Sequence, residues 1–583
     1  MSIGGENTAV ERSAADEGGV VDGGRMKTAR GVLFLSGVAL ALGHFALPFP
    51  GLFGQEPAAK TAVVTLPAAG SSKPGTIDES ANEMHLLQDG LKAYRNENFP
   101  AAALSFEASA ATHASSMATG HAYAWLTRAY LHLHKVPEAE EAAQKAVDAD
   151  KGLANAQTAM AEVYFREGKL AEAETLLVSL VKSQNMMART YLELARIHWA
   201  TGNYKSARVL IDIAHQDDPK DPDIDKAWLT ALTPKERMEE WKRRLAEGKY
   251  EDDREKLNLA AGLAVMEDRE KNENRPCKLV NKVSTTVAKL EPRMLDPRRM
   301  SGYRLIVKVN GVNSYLLLDT GASGILVSTK IAEKAGLKKI ADNVFGGIGD
   351  KGAAQGYVAY ADKLQIGELE FENCYVDVID KKRTLDEDGL IGTDVFGSYL
   401  VDIDFPDAKL KLSQLPAYPD QTGEQPSLQS ERTVRSSLHD RWVPPEYKNF
   451  ETVFRFGHML LLPVRLNKSP YRLFLLDTGA WDNTLTPAAA REASKIHTDS
   501  DIKVKGLNGD VKTVYSTGEI LLTFGRFQQR RDDMVAFDLS NMSNDIGTEI
   551  SGGLGFAMLN LLDIKLDYRD NLVDFEYNPN RFH

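Results

Sequence analysis

Two kinds of hydrophobic patterning divide this chain. From about residue 83 to 232, apolar residues recur at three- and four-residue spacing, which predicts helices that each bury one face. After about 277 the pattern becomes short alternating runs: "RLIVKV", "SYLLLD", "KLQIG", "YLVDIDF" and "KLKL". Turns containing Gly, Asn or Asp separate them, so they predict strands. Between the two regions, 233–276 reads as a charged helical connector whose charge runs form a solvated face. Near the start, "RMKTAR" carries three positive charges and precedes "GVLFLSGVALALGHFALPFPGLFGQ", which has no formally charged residue. Its apolar core, Val32 to Leu47, predicts a signal peptide or membrane anchor over 26–54, with the basic flank inside and the rest of the chain outside the cytoplasm. Met26 is a second candidate start. Residues 1–25 read as a disordered tail and 55–82 as a Pro/Ala/Gly/Ser-rich linker.

The helical region repeats. Thr127, Ala161 and Ala195 stand at steps of 34 (161 − 127 and 195 − 161), as do Tyr130, Tyr164 and His198. The same step relates His134, Gly168 and Gly202, and then Ala139, Ala173 and Ala207. Small residues suit the places where paired helices cross closely, and aromatics fill gaps between repeats. The pattern resembles the tetratricopeptide repeat, which implies a solenoid over 83–232 with a concave groove for a protein partner or substrate. A spacer that binds nothing is the alternative.

The strand region repeats too. "LDTGASGILVS" (318–328) and "LDTGAWDNTLT" (476–486) lie 158 residues apart (477 − 319). "LQIG" (364–367) matches "LTFG" (522–525) at 158, and "GLIGTDVF" (389–396) matches "GGLGFAML" (552–559) at 163. Two copies of one lobe follow, at 277–415 and 447–583, joined by a polar linker at 416–446.

A hydrophobic strand, Asp-Thr-Gly-Ala, a Gly-rich hairpin and then a Leu-Ile-Gly or Gly-Leu-Gly run resemble the aspartic proteases, and the alanine points to the retropepsin branch. The resemblance implies an all-β bilobal unit after the all-α solenoid, and an endopeptidase with catalytic Asp319 and Asp477. Two carboxylates about 3 Å apart share one proton, because like charges that close cannot both ionise. The ionised member takes a proton from water and the protonated member gives one. The resemblance also implies that Thr320 and Thr478 lock the loops together, and that Gly321 and Gly479 let the backbone turn tightly. It implies flap hairpins over the substrate at Gly347, Ile348 and Gly349, and at Gly506 and Leu507. Trp481 and Asp482, beside the second loop, are candidates for the substrate pocket. Alanine in the fourth loop position offers no hydroxyl to an ionised aspartate, so the pair should be less acidic than in pepsin-like enzymes.

Composition narrows the rest. The net charge is −12 (70 basic minus 82 acidic residues), which argues against nucleic acid as the partner. There is no HExxH among the twelve histidines, and two cysteines cannot form a Cys₄ site, so no metal or other cofactor is expected. Cys277 and Cys374 are free to pair or not. "GIGDKG" (347–352) satisfies G-x-G-x-x-G, but strands rather than a helix follow it. Two functions remain in view. One is an exported aspartic endopeptidase acting on a peptide or protein, possessing a membrane contact through 31–53 if that segment is uncleaved. The other is a non-catalytic scaffold on the same folds. Intact Asp-Thr-Gly in both lobes favours the first.

Overall fold

A computed structural model describes residues 32–34, 77–113, 115–248, 253–271, 277–281, 283–297, 299–348, 354–379, 388–417, 443–498, 502–506 and 509–577. Eleven helices run from Ile77 to Lys271 among these residues, and the rest of the described chain is mainly strand. The fold is therefore a helical array followed by a β-rich bilobal unit.

Alanine explains how the helices approach each other. Ala139, Ala173 and Ala207, at the 34-residue step, are all fully buried. So are Ala161 and Ala195. The connector forms two helices, Pro234–Glu247 and Asp253–Lys271. Thr233 and Glu236 form a reciprocal capping box at the start of the first, and Gly248 ends it in the left-handed conformation. Among the described residues no helix is long and apolar enough to cross a membrane. Of the segment expected to be a signal or anchor, Val32–Phe34 alone is described. It is a short strand parallel to Lys503–Lys505; the other residues of 26–54 lie outside the described residues.

The two lobes repeat one pairing scheme. Gly389–Gly392 runs parallel to the strand that ends at Asp319, with Gly392 opposite Asp319. Gly552–Gly555 runs parallel to Tyr471–Asp477, with Gly555 opposite Asp477. These glycines answer to close approach: a Cβ at Gly392 would strike the Ala322 carbonyl, and one at Gly555 the Asp482 carbonyl. The lobes also share a sheet. Tyr399–Asp404 of the first pairs antiparallel with Asp563–Asp567 of the second, from Leu400 opposite Asp567 to Asp404 opposite Asp563. A disulfide joins Cys277 to Cys374, tying the start of the first lobe to the strand Leu369–Ile379.

The helical array rests on the second lobe, and the duplication supplies an internal control for why. Leu473, four residues before Asp477, is 2% exposed, whereas its counterpart Tyr315 is 39% exposed. Leu461 pairs with Leu475 in the second lobe; in the first, the matching partner of Leu317 is Arg304. Both faces of the strands Met459–Leu466 and Tyr471–Asp477 are thus apolar. One face joins the core between the lobes, and the other packs on Phe165, Leu177, Leu194 and Ile197 of the helices. Hydrogen bonds finish the joint at helix ends, where the last carbonyls have no partner within the helix. Thr548 Oγ1 donates to Phe165 O at 2.6 Å, Glu549 N to Arg166 O at 2.7 Å and Asn571 Nδ2 to Ala200 O at 3.0 Å. Arg166 and Ala200 end equivalent helices of consecutive repeats, 34 residues apart.

Candidate active site

Each lobe delivers its Asp-Thr-Gly loop from the buried end of a strand, and the two loops meet. Thr320 N donates to Thr478 Oγ1 and Thr478 N to Thr320 Oγ1, each at 3.0 Å. Thr320 Oγ1 donates to Leu476 O at 2.7 Å, and Thr478 Oγ1 to Leu318 O at 3.0 Å. Each hydroxyl therefore accepts and donates across the junction, which satisfies both hydroxyls in a buried setting. Gly321 N donates to Asp319 Oδ1 at 2.8 Å; Gly479 N and Ala480 N donate to Asp477 Oδ1 at 3.0 and 2.8 Å. A Cβ at Gly321 would stand 3.2 Å from Asp477 Oδ1 and 3.3 Å from Asp319 Oδ1. A side chain there would crowd both carboxyls.

Both carboxyls are buried. Asp319 Oδ2 meets no protein N–H or O–H donor. The Asp319 carboxyl as a whole faces that of Asp477, and two carboxyl groups can hydrogen-bond only if one carries a proton. Burial, and then the charge of Asp477, push Asp319 well above the usual carboxylate range. Burial also raises Asp477, to about 6, while the amides of Ala480 and Gly479 and the Asp319 carboxyl pull it back. Loop amides act on both carboxyls, Gly321 and Gly479 on Asp319 and Ala480 and Gly479 on Asp477; the charge of Asp477 raises Asp319 further, so the proton settles on Asp319 and the negative charge on Asp477.

The flap segments converge as well. Ile348 is buried, and a side chain at Gly506 would run into the Ile348 backbone. Gly347 precedes this contact; Gly349 and Leu507 lie outside the described residues. Trp481 is half-buried and donates its indole N–H to Met300 O at 3.3 Å, so it spans to the first lobe. Asp482 is held in a buried ion pair, with Arg531 Nη2 at 2.8 and 2.7 Å from its two oxygens. Burial raises its carboxyl and Arg531 opposes the rise. The loop sequence alone gave no sign of Arg531, 49 residues on.

Other residues escaped the sequence reading. Asp394 accepts from Ser323 Oγ and Gly324 N, both at 3.0 Å, and so braces the first loop from behind. His458, buried and contributed by the second lobe, bonds the Gly321 backbone; burial lowers its pKa, and Asp394 opposes this. The place of Asp394, two residues past the Leu-Ile-Gly run, was the available signal for it; nothing in the sequence singled out His458. Among the described residues no cluster of three His, Cys, Asp or Glu could hold a metal ion.

Two family models agree with the architecture. An aspartyl protease family model matches residues 305–395, and a tetratricopeptide repeat model matches residues 164–229. The first match contains Asp319 and stops before the second lobe. The crystal structure of aspartic proteinase from Irpex lacteus is similar over 51% of this chain and 98% of that chain, at 11% sequence identity and a TM-score of 0.31. No curated protein matches the chain.

Proposed function

We propose that this protein, a tetratricopeptide array joined to an aspartic-protease-like unit, hydrolyses peptide bonds through Asp319 and Asp477. The observation that carries the reading is the buried contact between the two carboxyls, which demands one shared proton. Water held between them loses a proton to Asp477 as its oxygen attacks the peptide carbonyl carbon. The Asp319 proton passes to the carbonyl oxygen, giving a gem-diol. Asp477 then returns its proton to the leaving nitrogen, the C–N bond breaks, and one gem-diol hydroxyl restores the proton to Asp319. Ile348 and Gly506, where the flap segments meet, would exclude water and hold an extended substrate by backbone pairing. The helical array would recruit a protein partner or the substrate itself.

The pH dependence follows from the same pair. The active form carries one proton. As pH falls through about 6, Asp477 takes up a second proton and the base is lost. At high pH, Asp319 loses its proton and the acid is lost. The kcat/KM profile for a fluorogenic peptide is expected to be a bell with its acid limb near pH 6. Full activity at pH 4 would contradict this protonation scheme.

We also propose that the chain works outside the cytoplasm. The basic-then-apolar segment supports this, and so does the disulfide Cys277–Cys374, since such bonds persist in oxidising compartments. A reporter that functions only in the cytoplasm, fused after residue 80, should stay silent. Activity from it would overturn export.

A further inference from the structure

The duplication puts one residue directly after each Asp-Thr-Gly-Ala run, Ser323 in the first lobe and Trp481 in the second, 158 positions apart (481 − 323). The two diverge in size and in direction. Ser323 Oγ donates to Asp394 Oδ2 at 3.0 Å, so it turns back into its own lobe. Trp481 donates its indole N–H to Met300 O of the opposite lobe at 3.3 Å. Met300 belongs to the strand Arg299–Val309, on which Arg304 pairs with Leu317, antiparallel to the strand that ends at Asp319. Met300 stands four residues before Arg304 (304 − 300), so it runs past the first loop. The indole therefore reaches from one loop to the flank of the other, alongside the two carboxyls.

The loops form the floor of the cleft and the flap segments its roof. Trp481 packs on an apolar cluster that includes Ala480 of its own loop, Ile348 of the first flap segment and Val504 of the second. It fills space between floor and roof, where a side chain of an extended substrate paired with the flaps would lie. A serine in the matching place leaves the room of an indole free.

The ring is also held still. Ala557 N donates to Trp481 O and Phe556 N to Ala480 O, each at 2.7 Å. Asp482, next in the chain, is clamped by Arg531. With the backbone pinned on both sides, only the two side-chain torsions could move the ring, and packing together with the bond to Met300 O sets both. A close-packed ring yields little to added methylenes, so a large substrate side chain in its place meets a clash.

We infer that Trp481 is the specificity-determining residue of the cleft: its indole occupies the side-chain pocket on the second-loop side of the dyad, so the substrate presents a small residue (Gly, Ala or Ser) there and a large apolar one on the Ser323 side. This rests on the peptidase reading and adds to it the class of substrate, an extended peptide that is small on one side of the cleaved bond.

The test uses the full chain and matched probes with Ala on both sides of the central bond, Phe before it, Phe after it, or Phe on both sides. One set is fluorogenic peptides, with the cut confirmed by mass spectrometry. The other carries the same changes around a non-cleavable hydroxyethylene isostere, with binding read by calorimetry. In both sets Phe is expected to cost about ten-fold or more against Ala on one side of the bond alone, in kcat/KM and in affinity. Trp481→Ala should bring that ratio to within about two-fold by admitting the Phe probes. Trp481→Phe, which keeps a ring and drops the N–H, should retain most of the exclusion. Equal handling of Ala and Phe on both sides by the parent, or an unchanged ratio in Trp481→Ala, would overturn the inference. Should Trp481→Ala misfold, Trp481→Leu takes its place: a narrower ratio supports the inference and an unchanged one overturns it. Isosteres that bind with the one-sided preference to a chain that cuts no peptide would sink the peptidase reading and leave the filled pocket standing. Cleavage without the preference would do the reverse, and a chain that neither cuts nor binds any probe would overturn both.

Discussion

Asp319→Asn and Asp477→Asn are each expected to lower peptide hydrolysis by about 10³-fold or more while the fold stays intact. Asparagine keeps the shape of the carboxyl but cannot pass a proton between water and the leaving nitrogen. The double variant should be no worse than either single one, because the two groups act as a unit. The thermal stability of Asp477→Asn separates this loss from damage to the fold. The folded pKa of Asp477 is raised above its ordinary value, to about 6. Its carboxyl therefore supports the fold fully below about pH 4, and that support is lost as pH rises through about 6. The amide does not ionise, so Asp477→Asn should melt at or above the parent at pH 7.5, by on the order of 2 kcal/mol. At pH 4 the advantage should vanish. Substantial turnover by either single variant in a verified monomer would remove the paired-carboxylate mechanism.

Leu473→Ala is expected to destabilise the protein by about 2–5 kcal/mol, and Tyr315→Ala by no more than about 0.5–1 kcal/mol. The two residues hold the same place in the duplicated lobe, so local strand chemistry is matched. Leu473 is buried beneath the helices, and a Cβ at Gly168 would stand 3.1 Å from its Cγ. Truncating it opens a cavity between the array and the lobe. Tyr315 is 39% exposed and has Arg304 over its ring at 5.4 Å, an exposed cation–π contact of modest worth. Urea unfolding followed by both helical and near-ultraviolet signals checks the pair. Because one apolar cluster spans the array and the lobe, the two signals should shift together in Leu473→Ala. Equal effects of the two substitutions would mean that the array contributes nothing to the second lobe.

The sequence by itself determined what depends on repetition and local pattern. The 34-residue step places alanines where helices must touch, and the alternation of apolar residues places strands. The 158-residue step matches the two Asp-Thr-Gly loops. Each of these follows from a chain preference that acts over a few residues, so neighbours in sequence suffice to show it. Even the docking face was partly written there. "MLLLPVRL" and "LFLL" are apolar on both faces, as strands buried on both sides are, whereas "RLIVKV" alternates.

Only the tertiary structure decided the rest, because it depends on partners far apart in the chain. Sequence offers Asp319 and Asp477 as equals. Burial of both, and the charge that Asp477 sets against Asp319, raise Asp319 above its partner and so decide which carries the proton. Nothing near Asp482 in sequence named its partner, and the fold supplies Arg531. Cys277 and Cys374 could pair or not until a separation of 97 residues was closed by the sheet. Helix ends at Arg166 and Ala200 have unpartnered carbonyls in any sequence reading, and the second lobe answers them. Hydrogen bonds and charge interactions act over a few ångströms, so their partners are fixed by where the chain folds, not by distance along it.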